Sequence, residues 1–226
     1  MYVCFFDIDG TLLSTGGAGK HAMESALCEE FGLAGIRHQV PYSGRTDRAI
    51  ARDLLEGHGI ADTPEVWERF RTAYLQRLPT SLRMHRGSVL PGVEAFLRTL
   101  ARCPFVAVGL LTGNIEAGAR LKLRHYGLEH YFSFGGFGDN TLCRNEVARS
   151  ALDAARQALD SRCHPERIWV IGDTPLDVDC ARAIGARVAV VCTGTHTREQ
   201  LSPCQPDLLF DNLTEYPRLL ARLQQD

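Results

Sequence analysis

The chain has 226 residues, 45% of them apolar and 23% charged, an ordinary composition for a folded globular protein. Its formal net charge of −2 makes no electrostatic case for a nucleic-acid or anionic-membrane partner. No apolar run approaches the length of a membrane span, no signal-peptide pattern opens the chain, and the eight cysteines include no C-x-x-C spacing. The expectation is therefore a reduced, cytoplasmic protein whose cysteines pack as small hydrophobes. The length suits one large domain or a core with an insertion, and nothing in the composition specifies an oligomeric state.

Val3 to Phe6 is a short apolar run that meets Asp7-Ile8-Asp9-Gly10-Thr11, which reads as a fully buried strand ending in a turn. Two carboxylates one residue apart repel unless a cation or a proton intervenes, so the pair fits a divalent-metal or acid/base site. By itself it also fits a surface turn. Ser14 to Lys20 invites a phosphate-loop reading but lacks the glycine at 14 and the hydroxyl residue at 21 that such a loop needs. Amphipathic spacing predicts helices over Lys20–Phe31, from Thr46 or Asp47 to about His58, and from Thr63-Pro64 through Leu78. Residues 15–87 thus read as all-helical. From 88 onward the pattern changes. A helix over Val93–Leu100, a strand over Phe105–Leu111 and a helix to about Tyr126 come first. A glycine-rich loop at 135–140, a helix over about Asn145–Leu159 and a strand over Ile168–Ile171 follow. The last elements are a helix over 175–184, strands at Arg187–Cys192 and Asp207–Phe210, and a helix over Thr214–Gln224. Strands alternating with helices imply right-handed crossovers and a parallel sheet covered on both faces. The fold expected is a Rossmann-like three-layer α/β/α core, residues 1–14 plus 88–226, carrying an inserted all-α cap over 15–87.

In an open parallel sheet, ligands bind beyond the carboxyl ends of the strands. Three strands end there in polar groups: Asp7 and Asp9, Thr112 and Asn114, Asp173 and Asp177. The acids suit a hard, oxygen-ligated cation such as Mg²⁺, and the Thr112 hydroxyl with the N–H groups of the following helix suits an anion. A cation beside an anion pocket points to phosphoryl chemistry. The Asp7/Asp9 pair is not a calcium-hand loop, since its glycine comes too early and its flank is a strand. The eight histidines show no paired metal spacing.

Asp7-Ile8-Asp9-Gly10-Thr11-Leu12, Thr112-Gly113-Asn114 and Gly172-Asp173-Thr174-Pro175-Leu176-Asp177 resemble three of the four motifs of the haloacid-dehalogenase superfamily, in its helical-capped, phosphoglycolate phosphatase-like branch. The resemblance implies Asp7 as a nucleophile that forms an aspartyl-phosphate, and Asp9 as general acid and then general base. It also implies Mg²⁺ bound by Asp7, the Asp9 backbone carbonyl and Asp173, with Asp177 in support, and the phosphoryl group held by Thr112, Gly113 and Asn114. One motif departs. The lysine usual before the last acidic strand is missing, since the two lysines are Lys20 and Lys122, and Arg144 stands where its charge is expected. Arg45, in a loop resembling the cap segment that reaches the leaving group, is the candidate for substrate binding. The reading is a Mg²⁺-dependent phosphatase of a small organic phosphomonoester. A phosphomutase of the β-phosphoglucomutase type and a phosphate-binding protein without turnover are the alternatives.

Overall fold

The computed structural model describes residues 1–159 and 163–225. Its core is a six-stranded parallel sheet in the order β5-β4-β1-β6-β7-β8. The strands are β1 (Tyr2–Phe6), β4 (Val106–Leu111), β5 (Gly135–Gly136), β6 (Ile168–Gly172), β7 (Arg187–Val191) and β8 (Leu208–Phe210). β1 is buried throughout because it is central, hydrogen-bonded to β4 on one side and β6 on the other.

Alternation along β1 separates two apolar layers. Tyr2, Cys4 and Phe6 pack toward α4 (Val93–Leu100), α5 (Glu116–His125) and α9 (Pro217–Gln225), meeting Phe96, Leu123 and Leu219. Val3 and Phe5 face the other way, toward α6 (Arg144–Ala158) and α7 (Pro175–Ala183), among Val147, Ala151 and Val178. Rossmann-like α/β/α layering is the result.

The chain leaves this core through β2 (Leu13–Ser14) and returns through β3 (Ser88–Val89), which pair antiparallel as a two-residue ribbon. Between them lies the helical cap: α1 (Ala18–Phe31), α2 (Asp47–Gly57) and α3 (Pro64–Met84). Its own apolar cluster includes Met23, Leu27, Leu54, Phe70, Tyr74 and Leu78, with Ile115 of the core completing it. The expected caps form: Thr46 Oγ1 accepts from the Ala49 N–H at 3.1 Å, Thr63 Oγ1 accepts from the Val66 N–H at 3.3 Å, and Pro64 opens α3.

The sequence reading missed the ribbon, whose strands are too short to show alternation. It also missed α8 (Arg198–Leu201), a single turn with a Thr197/Gln200 capping box. The glycine-rich segment after Phe134 supplies the edge strand β5, where Gly135 and Gly136 pair with Leu110 and Leu111.

Candidate active site

Parallel register places the strand ends side by side. Phe6 lies opposite Leu110 and Ile171, so Asp7, Thr112 and Asp173 leave the sheet at one rim, and the Asp7 N–H donates to the Ile171 carbonyl at 2.9 Å. One carboxylate oxygen from each of Asp7, Asp173 and Asp177 lies within 4.8 Å of the others, and all three residues are buried. The space is reserved for these groups by glycine. A Cβ on Gly10, which turns with φ +88°, would fall 2.4 Å from Asp173 Oδ2, and one on Gly194 would fall 1.7 Å from it. Thr193 Oγ1 donates to the Gly10 carbonyl at 2.6 Å and ties the two loops together over the Asp173 carboxylate, whose Oδ1 accepts from Thr11 Oγ1 at 3.0 Å.

Asp177 has a different environment from the other two acids. It occupies the first turn of α7, where its Oδ2 accepts from the Asp173 N–H, the Thr174 N–H and the Thr174 hydroxyl. Its Oδ1 accepts from Arg144 Nη2 at 2.6 Å. Its lone pairs are therefore heavily used, and it acts as an anchor for the turn and for Arg144. That same guanidinium nitrogen lies 3.2 Å from Asp7 Oδ2, and Nη1 donates to the Gly44 carbonyl at 3.1 Å. Arg144, at the first position of α6, is thus a buried cation bridging the nucleophile candidate, Asp177 and the cap loop.

Burial pushes the Asp7 carboxyl up to about 6, against the pull of Arg144 and with Asp177 adding to the rise. Burial, then Asp177 and Asp7, also lift Asp173 well above the usual carboxylate range. Burial opposes the Arg144 charge, but Asp177 and Asp7 outweigh it and raise the arginine's pKa. Carboxylates crowded in this way ionise together only beside a further positive charge. An all-oxygen donor set around Asp7 and Asp173 fits a hard divalent cation.

Thr112 and Asn114 close the next side of the site. The Asn114 N–H and side-chain Nδ2 both donate to Thr112 Oγ1, at 3.3 and 2.9 Å, and Nδ2 also reaches Asp9 Oδ2 at 2.9 Å. The Asp9 carboxylate is therefore held by Asn114, outside the three-carboxylate group, and lines with Asp7 and Asp173 a cavity of about 410 Å³ between core and cap. Arg45 lines this cavity, yet its guanidinium lies 2.7 Å from Asp53 within the cap and also donates to the Pro41 carbonyl. Its backbone carbonyl presses on Gly113, where a Cβ would fall 2.0 Å from it.

The family model described as haloacid dehalogenase-like hydrolase matches residues 4–182. The chain belongs to the haloacid dehalogenase-like hydrolases. The phosphoglycolate phosphatase of Cereibacter sphaeroides is 28% identical to it over 223 residues, covering 96% of this chain and 97% of that one. The phosphoglycolate phosphatase of Synechococcus elongatus is 24% identical along the whole of both chains. Among solved structures, CbbY from Rhodobacter sphaeroides in complex with phosphate shares the fold with a TM-score of 0.73, at 19% identity over 96% of each chain. A hydrolase from Pseudomonas syringae does so with a TM-score of 0.74, at 19% identity over 99% of each.

Two side chains of this hydrolase's site were not found by sequence reasoning. Lys122, on α5, is 4% exposed, and its Nζ lies 2.5 Å from Asp9 Oδ2 and 2.6 Å from Asn114 Oδ1. Burial works against its charge, but Asp9 and Asp47 prevail and raise its pKa. Asp47, at the start of α2, accepts from the Ile115 N–H at 2.9 Å while its own N–H donates to the Gly113 carbonyl at 2.7 Å. Burial pushes Asp47 up to about 7, with Lys122 pulling it down. The available signal for Lys122 was its position two turns into the helix that follows Thr112-Gly113-Asn114, on the same face as Ala119.

Gly194→Ala forces the Asp173 carboxylate to move. Isothermal titration with Mg²⁺ is expected to show roughly tenfold weaker binding, the size typical of losing a group that orients a ligand. Unchanged affinity would show that Asp173 is not a ligand.

Proposed function

We propose that this hydrolase is a Mg²⁺-dependent phosphatase that cleaves a small organic phosphomonoester through an aspartyl-phosphate on Asp7. The observation that carries this reading is the convergence of Asp7, Asp173 and the buried Arg144 guanidinium beside Thr112, Gly113 and Asn114. Nucleophilic carboxylate, cation ligands and phosphoryl-binding donors then share one rim. The names of the two phosphoglycolate phosphatases support a phosphomonoester and make phosphoglycolate the first ester to test.

In this reading Asp7 and Asp173, with the Asp9 backbone carbonyl, hold Mg²⁺, and Asp177 supports them through its bonds to the α7 turn and Arg144. Bound there, Mg²⁺ supplies positive charge that lets the crowded carboxylates ionise and offsets charge on the phosphoryl oxygens. The Asp7 carboxylate attacks phosphorus and the ester P–O bond breaks. Asp9 delivers its proton to the departing alkoxide, which leaves as the alcohol. Asp9, now ionised, takes a proton from water as that water attacks the acyl phosphate, and inorganic phosphate departs with Asp7 regenerated. Arg144 holds Asp7 in place and presents positive charge to the phosphoryl oxygens, the part a lysine plays in the family pattern. Thr112, Gly113 and Asn114 hold those oxygens. Arg45 receives an anionic group of the substrate by exchanging it for Asp53. A reducing, cytoplasmic setting completes the reading, in keeping with eight cysteines that all remain unpaired.

Asp7→Asn is expected to abolish Mg²⁺-dependent phosphate release from 4-nitrophenyl phosphate and phosphoglycolate. Arg144→Ala should lower kcat about 100-fold or more, a size typical of losing one preorganised charge stabiliser. Release that survives Asp7→Asn excludes the aspartyl-phosphate route, and full turnover in Arg144→Ala excludes the arginine's role.

The raised carboxyls also set a pH dependence of stability. An acid whose folded-state pKa lies above its unfolded value near 4 keeps a proton that the unfolded chain has lost. Its contribution is present at low pH and is lost as pH rises through the folded value, about 6 for Asp7 and about 7 for Asp47. Mg²⁺ competes with protons at Asp7 and Asp173, so its stabilising effect grows in the same window. With Mg²⁺ about tenfold above its dissociation constant, Tm should rise by roughly 3–5 °C near pH 7.5 and by little near pH 5. Equal shifts at both pH values would contradict ligation by these carboxyls.

A further inference from the structure

Lys122 lies outside the three motifs that carry the family resemblance, yet it is buried among their residues. We propose that Lys122 is the positioning residue for Asp9, holding its carboxylate toward the leaving-group side of the cavity and away from the cation ligands. The inference rests on the phosphatase reading for its chemistry but not for its geometry.

Three observations support it. First, lysine is rarely buried without a partner, and the two partners here belong to the site: Asp9 Oδ2 at 2.5 Å and Asn114 Oδ1 at 2.6 Å. Asn114 uses its other side-chain atom, Nδ2, to bond the same Asp9 oxygen, so the three groups form a closed triangle around one carboxylate. Second, room is kept for the ammonium. Gly19 in the first turn of α1 faces it, and a Cβ there would lie 3.3 Å from Nζ. Third, the partition of acids follows the cations. Asp7 and Asp177 pair with Arg144, Asp9 pairs with Lys122, and the three-carboxylate cluster does not include Asp9.

The consequence follows from charge. Asp9 lies on a turn two residues from Asp7, and its side chain is 39% exposed. Were Mg²⁺ held by Asp7 and Asp173, an Asp9 carboxylate with no competing cation would be attracted toward it and lost to proton transfer with the leaving oxygen and with water. Lys122, paired with Asp9 as Arg144 is with Asp7, supplies the competing attraction. Proton delivery matters most when the leaving group is a poor one, so loss of Lys122 should tell more on an alkyl than on an aryl ester.

The test compares wild type, Lys122→Met, Asp9→Asn and the double variant, each with Mg²⁺. With phosphoglycolate, Lys122→Met is expected to lower kcat about 30-fold or more while KM stays within about twofold. With 4-nitrophenyl phosphate the loss should be several times smaller, and in the Asp9→Asn background Lys122→Met should add nothing. Equal losses on both esters, a loss residing in KM, or additive effects in the double variant would overturn the proposal. The four proteins are also unfolded in urea without Mg²⁺, a readout that needs no turnover. Non-additive midpoints are expected, and additive ones overturn the pairing. A wild type that hydrolyses neither ester refutes the phosphatase reading, and the urea cycle then decides the Asp9–Lys122 pairing by itself. If Lys122→Met does not fold, Lys122→Gln, which retains an N–H donor, carries the same comparison.

Discussion

The crowding of Asp7, Asp173 and Asp177 at the carboxyl rim of the sheet is the constraint to which the rest of this structure answers. Three buried acids repel one another, and the protein meets that repulsion with a buried guanidinium, a ring of backbone donors and close-approaching glycines. From the start of α6, Arg144 reaches both Asp7 and Asp177 with Nη2 while Nη1 donates to the Gly44 carbonyl. The Asp177 carboxylate completes the α7 capping box and holds Arg144 at the same time, so the helix N-terminus and the site share one residue. β1 must be central for this to work, since its two neighbours bring Thr112 and Asp173 to either side of Asp7.

The cap is placed by the same rim. Its segment from Ser43 to Asp47 descends on two core loops and the start of α6 at once. Ser43 Oγ pairs with Thr195 Oγ1 at 2.9 Å, the Gly44 carbonyl accepts from Arg144, and Asp47 bonds to both Gly113 and Ile115. Gly44 and Gly113 permit this approach: a Cβ on the first would fall 2.6 Å from Thr174 Oγ1, and one on the second would meet the Arg45 carbonyl. The ribbon that joins cap to core is two residues deep, so the docked loop, not the connection, sets how the cavity is closed. Closure over charged groups lowers the local dielectric and strengthens every pairing within.

Much of the fold was legible in the residues. The apolar run before Asp7, the strands ending at Thr112 and Asp173, and the proline and threonine signals before α3 and α7 each report a local preference that packing did not override. What was illegible had no local signature. β2, β3 and β5 are two residues each, and their pairing is decided by neighbours far along the chain. Lys122 reads in sequence as a basic residue near a helix C-terminus, where cations are ordinary. Its distance to Asp9 depends on how α5 lies against β1. Arg45 reads as a candidate for substrate binding, while in the structure Asp53 of α2 holds it.

Sequence alone therefore determined the longer strands and helices and their order, the carboxylates that end β1 and β6, the hydroxyl and amide that end β4, and the arginine at the start of α6. Those features are local: each follows from a periodicity, a cap or a residue type fixed at a strand end. Tertiary structure alone decided which acids share a cation, which basic group faces which acid, and how closely cap and core approach. Distances between residues more than 100 positions apart, such as Lys122 to Asp9, are set by packing of the whole sheet and its helices, and no short window of the chain contains them.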